Sequence, residues 1–149
     1  MTPQALAAQN AYRQVQVDSA GPEETVVLLF EGMGRFLHQA RAAMERSEYE
    51  EQSRLIIRVQ RILSELTVAI RDEPDETLAV SLRCAYISMY NRLMEANIAD
   101  DLGALDEVIG LAARFAEAWR VALQNITLGT RNTAPSHLAP AAISLPVAA

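Results

Sequence analysis

The chain has 149 residues, half of them apolar, with a charged fraction of 21% and a formal net charge of -6. That is one domain's worth of sequence, apolar enough to build a core without cross-links and too weakly charged for a wholly disordered protein. All thirteen basic residues are Arg, spread from Arg13 to Arg131 without clustering, which excludes a surface that tracks a phosphate backbone and with it nucleic-acid binding.

The first residues, MTPQALAAQN, lack both a basic stretch and a continuous apolar stretch, so they do not read as a signal peptide. No run approaches the ~18 apolar residues of a spanning helix. These observations predict a protein of the cytosol with no membrane insertion. The single cysteine, Cys84, lies in an apolar helical segment and is expected to be a buried structural thiol.

Residues 1–20 read as an arm, in which Tyr12-Arg-Gln-Val15-Gln-Val17 alternates apolar and polar and is extended where it meets the domain. Gly21-Pro22-Glu23-Glu24 is a helix start, because proline is preorganised for the first helical position and acids favour the positive end of the helix dipole. The first helix runs to about Arg46, with Val26, Phe30, Met33, Leu37, Ala40 and Met44 at spacings of three and four. Leu29 and Phe36 widen that stripe. Ser47-Glu48 is a short connection.

The second helix spans Tyr49 to Ile70, with a stripe of Leu55, Val59, Ile62, Leu66 and Ala69 and a flank of Ile56, Leu63 and Ile70. Pro74 stops it. The third helix, Glu76 to Ala99, has a stripe of Leu78, Leu82, Ala85, Met89, Leu93 and Ala96 and a second apolar flank of Val80, Ile87, Tyr90, Met94 and Ile98. Asp100-Asp101 separates it from the fourth, Leu102 to Gln124, lined by Leu105, Val108, Ala112, Phe115, Trp119 and Leu123. From Gly129 onward there is no period and no cap, and Arg131 is the one charge, so residues 126–149 are expected to be a disordered tail. Four such segments with short connections predict an all-α, antiparallel up-down four-helix bundle over residues 21–125.

Catalytic chemistry finds little to stand on. A di-metal carboxylate bundle needs Glu-x-x-His pairs, yet Arg35 occupies the position three before His38, and His137 lies in the tail. His38 reads as a half-exposed surface residue. No nucleophile has a base at a recognisable spacing, and Gly32-Met-Gly34 lies inside a helix and is read as a place of close helix approach. No enzyme activity, metal or cofactor is expected. Glu31 with Arg35, and Glu50 with Arg54, are spaced as surface ion pairs. What remains is apolar surface beyond one seam on helices two and three: either the core is broad, or one face is open to a partner.

Three segments resemble the FliS family of flagellin-specific export chaperones. Ala11-Tyr-Arg-Gln-Val-Gln-Val-Asp-Ser-Ala20 is similar to the family's N-terminal signature, followed by Gly21-Pro-Glu-Glu and by Leu28-Leu-Phe-Glu-Gly32. Leu82-Arg-Cys-Ala-Tyr86-Ile-Ser-Met-Tyr90-Asn-Arg92-Leu93-Met-Glu-Ala96-Asn97 resembles the helix-three motif, and the run Leu105 to Trp119 ends in the family's Trp. The likeness spans about residues 10–124. Gly21 stands for the usual Ser, Phe30 for Tyr, and Ala85 for a larger apolar residue.

The resemblance implies a chaperone of the cytosol that binds the C-terminal segment of flagellin, disordered before assembly, and brings it to a component of the flagellar export gate. Groove-wall positions follow from the surplus apolar surface and the helix-three motif: Ile56, Leu63, Tyr86 and Tyr90. An arm carrying Tyr12, Val15 and Val17 would cover that groove when cargo is absent. The alternatives are a self-associating (homodimeric) structural or regulatory bundle without a flagellin client, and a small-ligand bundle enzyme.

Overall fold

The structure is a computed structural model that describes residues 2–4 and 21–128. The arm residues Tyr12, Val15 and Val17 and the tail from residue 129 lie outside the described residues. Four helices form the domain: α1 (Pro22–Glu45), α2 (Tyr49–Ala69), α3 (Glu76–Ala99) and α4 (Leu102–Thr127), with a 3-10 turn at Ile70–Asp72 after α2. No strand occurs among the described residues. The last helix runs to Thr127, past the Gln124 expected from the sequence and past the expected domain boundary at 125.

Each helix end has a local cause. Gly21 caps α1 without a side chain; Pro22 opens the helix, and the Thr25 hydroxyl donates to the Gly21 carbonyl at 2.9 Å. At the other end Ser47 takes a left-handed φ of 56°. Its N–H bonds the Met44 carbonyl at 3.1 Å, and the Glu48 N–H bonds the Ala43 carbonyl at 2.9 Å, so carbonyls that the helix would orphan are satisfied. Asp75 and Asp101 start α3 and α4: their carboxylates accept from the N–H groups of Leu78 and Ala104, each at 3.1 Å. Asp100 turns the chain between them with φ 51°.

The helices form a ring in which α1 packs on α2 and α4, and α3 packs on α2 and α4. Side-chain bonds set them antiparallel. Arg120 meets Glu31 and Arg41 meets Asp106 across α1/α4, while Gln52 meets Asn97 and Gln60 meets the Tyr90 carbonyl across α2/α3. The fold is the up-down bundle that the periodicity predicts.

Inside, three rings from three helices meet. Phe30 stacks on Phe115 with centroids 5.3 Å apart, and Tyr86 lies 6.2 Å and 5.7 Å from them in tilted contacts. Phe30 on α1 thereby touches α3 across the diagonal of the ring. Every residue of the expected α1 stripe is buried, and so are Leu105, Val108, Ala112, Phe115 and Trp119 of α4; Leu123 is only partly buried.

The two middle helices differ from their sequence readings by a rotation. On α2 the inward positions are Gln52, Leu55, Ile56, Val59, Leu63 and Leu66, and the expected stripe members Ile62 and Ala69 are half-buried and exposed. On α3 they are Ala79, Leu82, Tyr86, Met89, Leu93 and Ala96, and Leu78 and Ala85 stand at the edge. Cys84, two residues from both Leu82 and Tyr86, points away from the core and is exposed, which corrects the buried reading.

Other local expectations also change. Glu31 pairs with Arg120 and not Arg35, and Arg54 pairs with Glu51 and not Glu50. His38 is exposed. A Cβ on Gly32 would meet only the Arg35 guanidinium of its own helix, at 3.4 Å, and one on Gly34 would meet nothing within 4 Å. Neither glycine permits a close helix approach.

Two stability experiments follow. Ser47→Gly removes the left-handed strain of a residue with a Cβ, and urea unfolding should show a gain of about 0.5–1 kcal/mol after the entropy of the added glycine is offset. Trp119 is 1% exposed, so Trp119→Ala should cost about 3–5 kcal/mol in the same assay. A loss under 1 kcal/mol would mean that the indole is not a core element.

Candidate functional site: an uncharged groove between α2 and α3

The seams of the bundle differ in kind. Across α1/α4 and α3/α4 the bonds are ionic: Arg120 with Glu31, Arg41 with Asp106, and Arg92 with Glu107. The Arg41 guanidinium holds Asp106 below the usual carboxylate range, and Arg92 does the same for Glu107. The Arg41 and Arg92 pairs are solvent-exposed, so each adds little to stability, and the Arg120–Glu31 pair is part-buried. The α2/α3 seam is tied instead by neutral donors. Gln52, 1% exposed, donates to Asn97 Oδ1 at 3.0 Å and to Asp100 Oδ1 at 2.9 Å, and Ser53 donates to Asn97 Oδ1 at 3.1 Å. Gln60 donates to the Tyr90 carbonyl at 3.3 Å.

Beyond Gln60 the two helices leave a groove of about 220 Å³, lined by Leu63, Ser64, Thr67, Tyr86, Ile87 and Tyr90. None of the six carries a formal charge. Leu63 and Tyr86 are buried in the core and form its inner wall, while Ile87 and Tyr90 are 47% and 37% exposed on its rim. The Ser64 and Thr67 hydroxyls donate back to the carbonyls of Gln60 and Leu63, which leaves their lone pairs free to accept. Val80, Ile87 and Met94 recur every seven residues along α3, and Ile98 and the α2 residues Ile57 and Val68 are exposed as well. This is the surplus flank that the sequence shows on helix three.

The groove gathers three of the four expected wall residues, Leu63, Tyr86 and Tyr90. Ile56 is fully buried in the bundle core and does not line the groove. Ile87, Ser64 and Thr67 were not among the expected wall residues. Ile87 had a signal, its place in the second apolar flank; the two hydroxyl residues had none, since small polar side chains on a helix read as solvated surface.

A second cleft, between α1 and α4, is larger, about 510 Å³, but it is lined by Glu31, Arg35, His38 and Arg120 as well as by Phe30 and Ile109. Among the described residues no three His, Cys, Asp or Glu side chains gather as metal ligands, and no helix is long and apolar enough to cross a membrane.

A family model described as Flagellar protein FliS matches residues 4–126. The chain belongs to the FliS family. It is 35% identical over 123 residues to the flagellar secretion chaperone FliS of Bacillus subtilis, covering 80% of this chain and 91% of that one. It is 37% identical over 119 residues to FliSB of Pseudomonas aeruginosa, covering 77% and 94%, and 31% identical over 115 residues to FliS of Salmonella typhimurium, covering 74% and 85%. The FliS-like segments take defined places in the fold. Leu28–Gly32 supplies Phe30 to the aromatic junction, and Leu82–Asn97 supplies both the Tyr86 and Tyr90 of the groove and the Asn97 of the neutral seam.

Burial pushes the Tyr86 phenol well above its ordinary value. A phenol that resists ionisation in the fold but not in the unfolded chain stabilises the protein below about pH 10, and that contribution is lost as pH rises from there toward the raised value. Circular dichroism should show alkaline unfolding that begins above about pH 10, and Tyr86→Phe should shift its onset to higher pH. An unshifted onset would mean that Tyr86 does not control it.

Proposed function

We propose that this protein is a flagellar secretion chaperone of the cytosol which binds the disordered C-terminal segment of flagellin in the α2/α3 groove, prevents its premature polymerisation and delivers it to a component of the flagellar export gate. The observation that supports this reading most is the uncharged groove walled by Leu63, Tyr86 and Tyr90, continuous with the exposed apolar line of α3, on a chain of the FliS family.

The physical logic is that of a helix-in-groove binder. A client segment that packs its apolar face only in the assembled filament has that face exposed beforehand, and a groove of this kind buries it. Ordering the segment consumes part of the contact energy, so the complex protects and still releases. Tyr90 suits the rim: its ring covers apolar client surface while its hydroxyl stays on water. Ile56 is buried in the bundle core and takes no part in this wall. The function needs no catalytic step, metal or cofactor.

The decisive comparison uses Tyr90→Glu and Ile87→Glu on the rim against Ile56→Glu in the core, each followed by circular dichroism and by titration with a synthetic flagellin C-terminal segment. The rim variants should keep the helical signal and lose binding by tenfold or more. Ile56→Glu should unfold, because an unpaired buried carboxylate is costly. Folded rim variants that bind the segment as the parent does would remove the groove from the client site.

A further inference from the structure

The apolar α2/α3 face has a second feature of the chain to account for it. From Asn132 to Ala149 the sequence holds no Asp, Glu, Lys or Arg, although 21% of the whole chain is charged. Chains that stay solvated are poor in apolar side chains and rich in charge. This segment inverts that composition: it has no helical period or caps, yet it carries Leu138, Ile143, Leu145 and Val147 among alanines and prolines. It has no means of building a core of its own and it has side chains that water disfavours.

Its starting point is set by the fold. It follows Leu128, which leaves α4 at the end of the bundle where α2 passes through Ile70–Asp72 into α3. Val68 and Val80, both exposed, lie near that same end of the α2/α3 face. An extended chain covers ~3.3 Å per residue, so residues 129–149 reach roughly 70 Å. The exposed line from Val80 to Ile98 is about 27 Å long at the helical rise of ~1.5 Å per residue. The segment therefore reaches past the bundle end and along the whole face. Polarity selects between the two clefts: the α1/α4 cleft is lined by Glu31, Arg35, His38 and Arg120, for which the segment has no Asp, Glu, Lys or Arg, whereas none of the six residues that line the α2/α3 groove is charged. The family match stops at residue 126, so this occupant stands outside the shared domain.

We propose that residues 132–149 are an intramolecular occupant of the α2/α3 groove, seated through Leu138, Ile143 and Leu145, which an incoming client must displace. Tethering gives such a segment an effective concentration in the millimolar range, so even a weak fit holds it in place a large part of the time. Competition then lowers apparent client affinity by the fraction of grooves occupied.

The single cysteine supplies the probe. Cys84 is exposed on α3 between Val80 and Ile87, so a nitroxide attached there sits at one defined place beside the groove. In the full chain, methyl NMR should show broadening at Leu138, Ile143, Leu145 and Val147; in the full-length double variant Ile143→Asp/Leu145→Asp, the broadening of the remaining Leu138 and Val147 methyls should be lost. The same variant should bind a synthetic flagellin C-terminal segment about two- to tenfold more tightly than the parent. No broadening of the tail methyls, broadening that survives the double substitution, or broadening at Val15 and Val17 of the arm in its place would each overturn the proposal. The affinity readout rests on the client reading given above and the nitroxide readout does not. A flagellin segment that binds neither protein, with tail broadening intact, therefore sinks the client reading and leaves the intramolecular contact established.

Discussion

The packing of Phe30, Tyr86 and Phe115 is the contact on which the bundle and its groove both depend. Three rings from α1, α3 and α4 meet within 5.3–6.2 Å, and Phe30 and Tyr86 link helices that are diagonal in the ring. Aromatic pairs at these separations contribute beyond the area they bury. Their geometry also fixes the rotation of α3. With Tyr86 turned inward, Leu82, Met89 and Leu93 follow into the core, and Ile87, Met94, Val80 and Cys84 are carried outward. Tyr86 is thus both a core residue and the inner wall of the groove, and a change there is felt on both sides of the same ring.

The second constraint is the division of labour among the seams. α4 is held to α1 and α3 by ion pairs over an apolar interior. α2 and α3 are held by Gln52, Ser53, Gln60 and Asn97, whose bonds carry no charge on the α2 side. Charged residues along a seam keep their heads hydrated and resist burial under a partner. A neutral seam costs far less to cover. Among the described residues no ion pair crosses the α2/α3 seam, and the six side chains that line its groove are uncharged.

Polar groups left without partners mark where the packing is least complete. Gln52 Oε1 and Trp119 Nε1 are buried and find no hydrogen-bond partner among the described residues. Gln52 gives its N–H groups to Asn97 and Asp100 at the closed end of the α2/α3 seam, so its unmet acceptor is offset by the register those bonds impose. Trp119 is set in the core by its area alone. Both lie away from the groove lining, and neither enters the functional reading.

Much of this was legible in the residues. The four helices, their connections, the inward stripes of α1 and α4 and the burial of Trp119 all follow from one-sided periodicity and from Pro22, Pro74 and the Asp100-Asp101 break. Sequence alone also carried the likeness to the FliS family, because its segments are local runs. The rotation of α2 and α3 was decided only by tertiary structure. Both helices are apolar on two adjacent faces, so Ile62 and Ile56, or Ala85 and Tyr86, satisfy the helical period equally well, and only the neighbours choose between them. That choice exposed Cys84, took Ile56 into the core, and set Leu63, Tyr86 and Tyr90 together around one groove. Ion-pair partners were decided in the same way: Glu31 lies within reach of Arg35 along its own helix, but the guanidinium it meets belongs to Arg120, brought beside it by the antiparallel packing of α1 and α4. A period specifies that a helix has an inside; which of two apolar flanks becomes that inside is a property of the assembled ring.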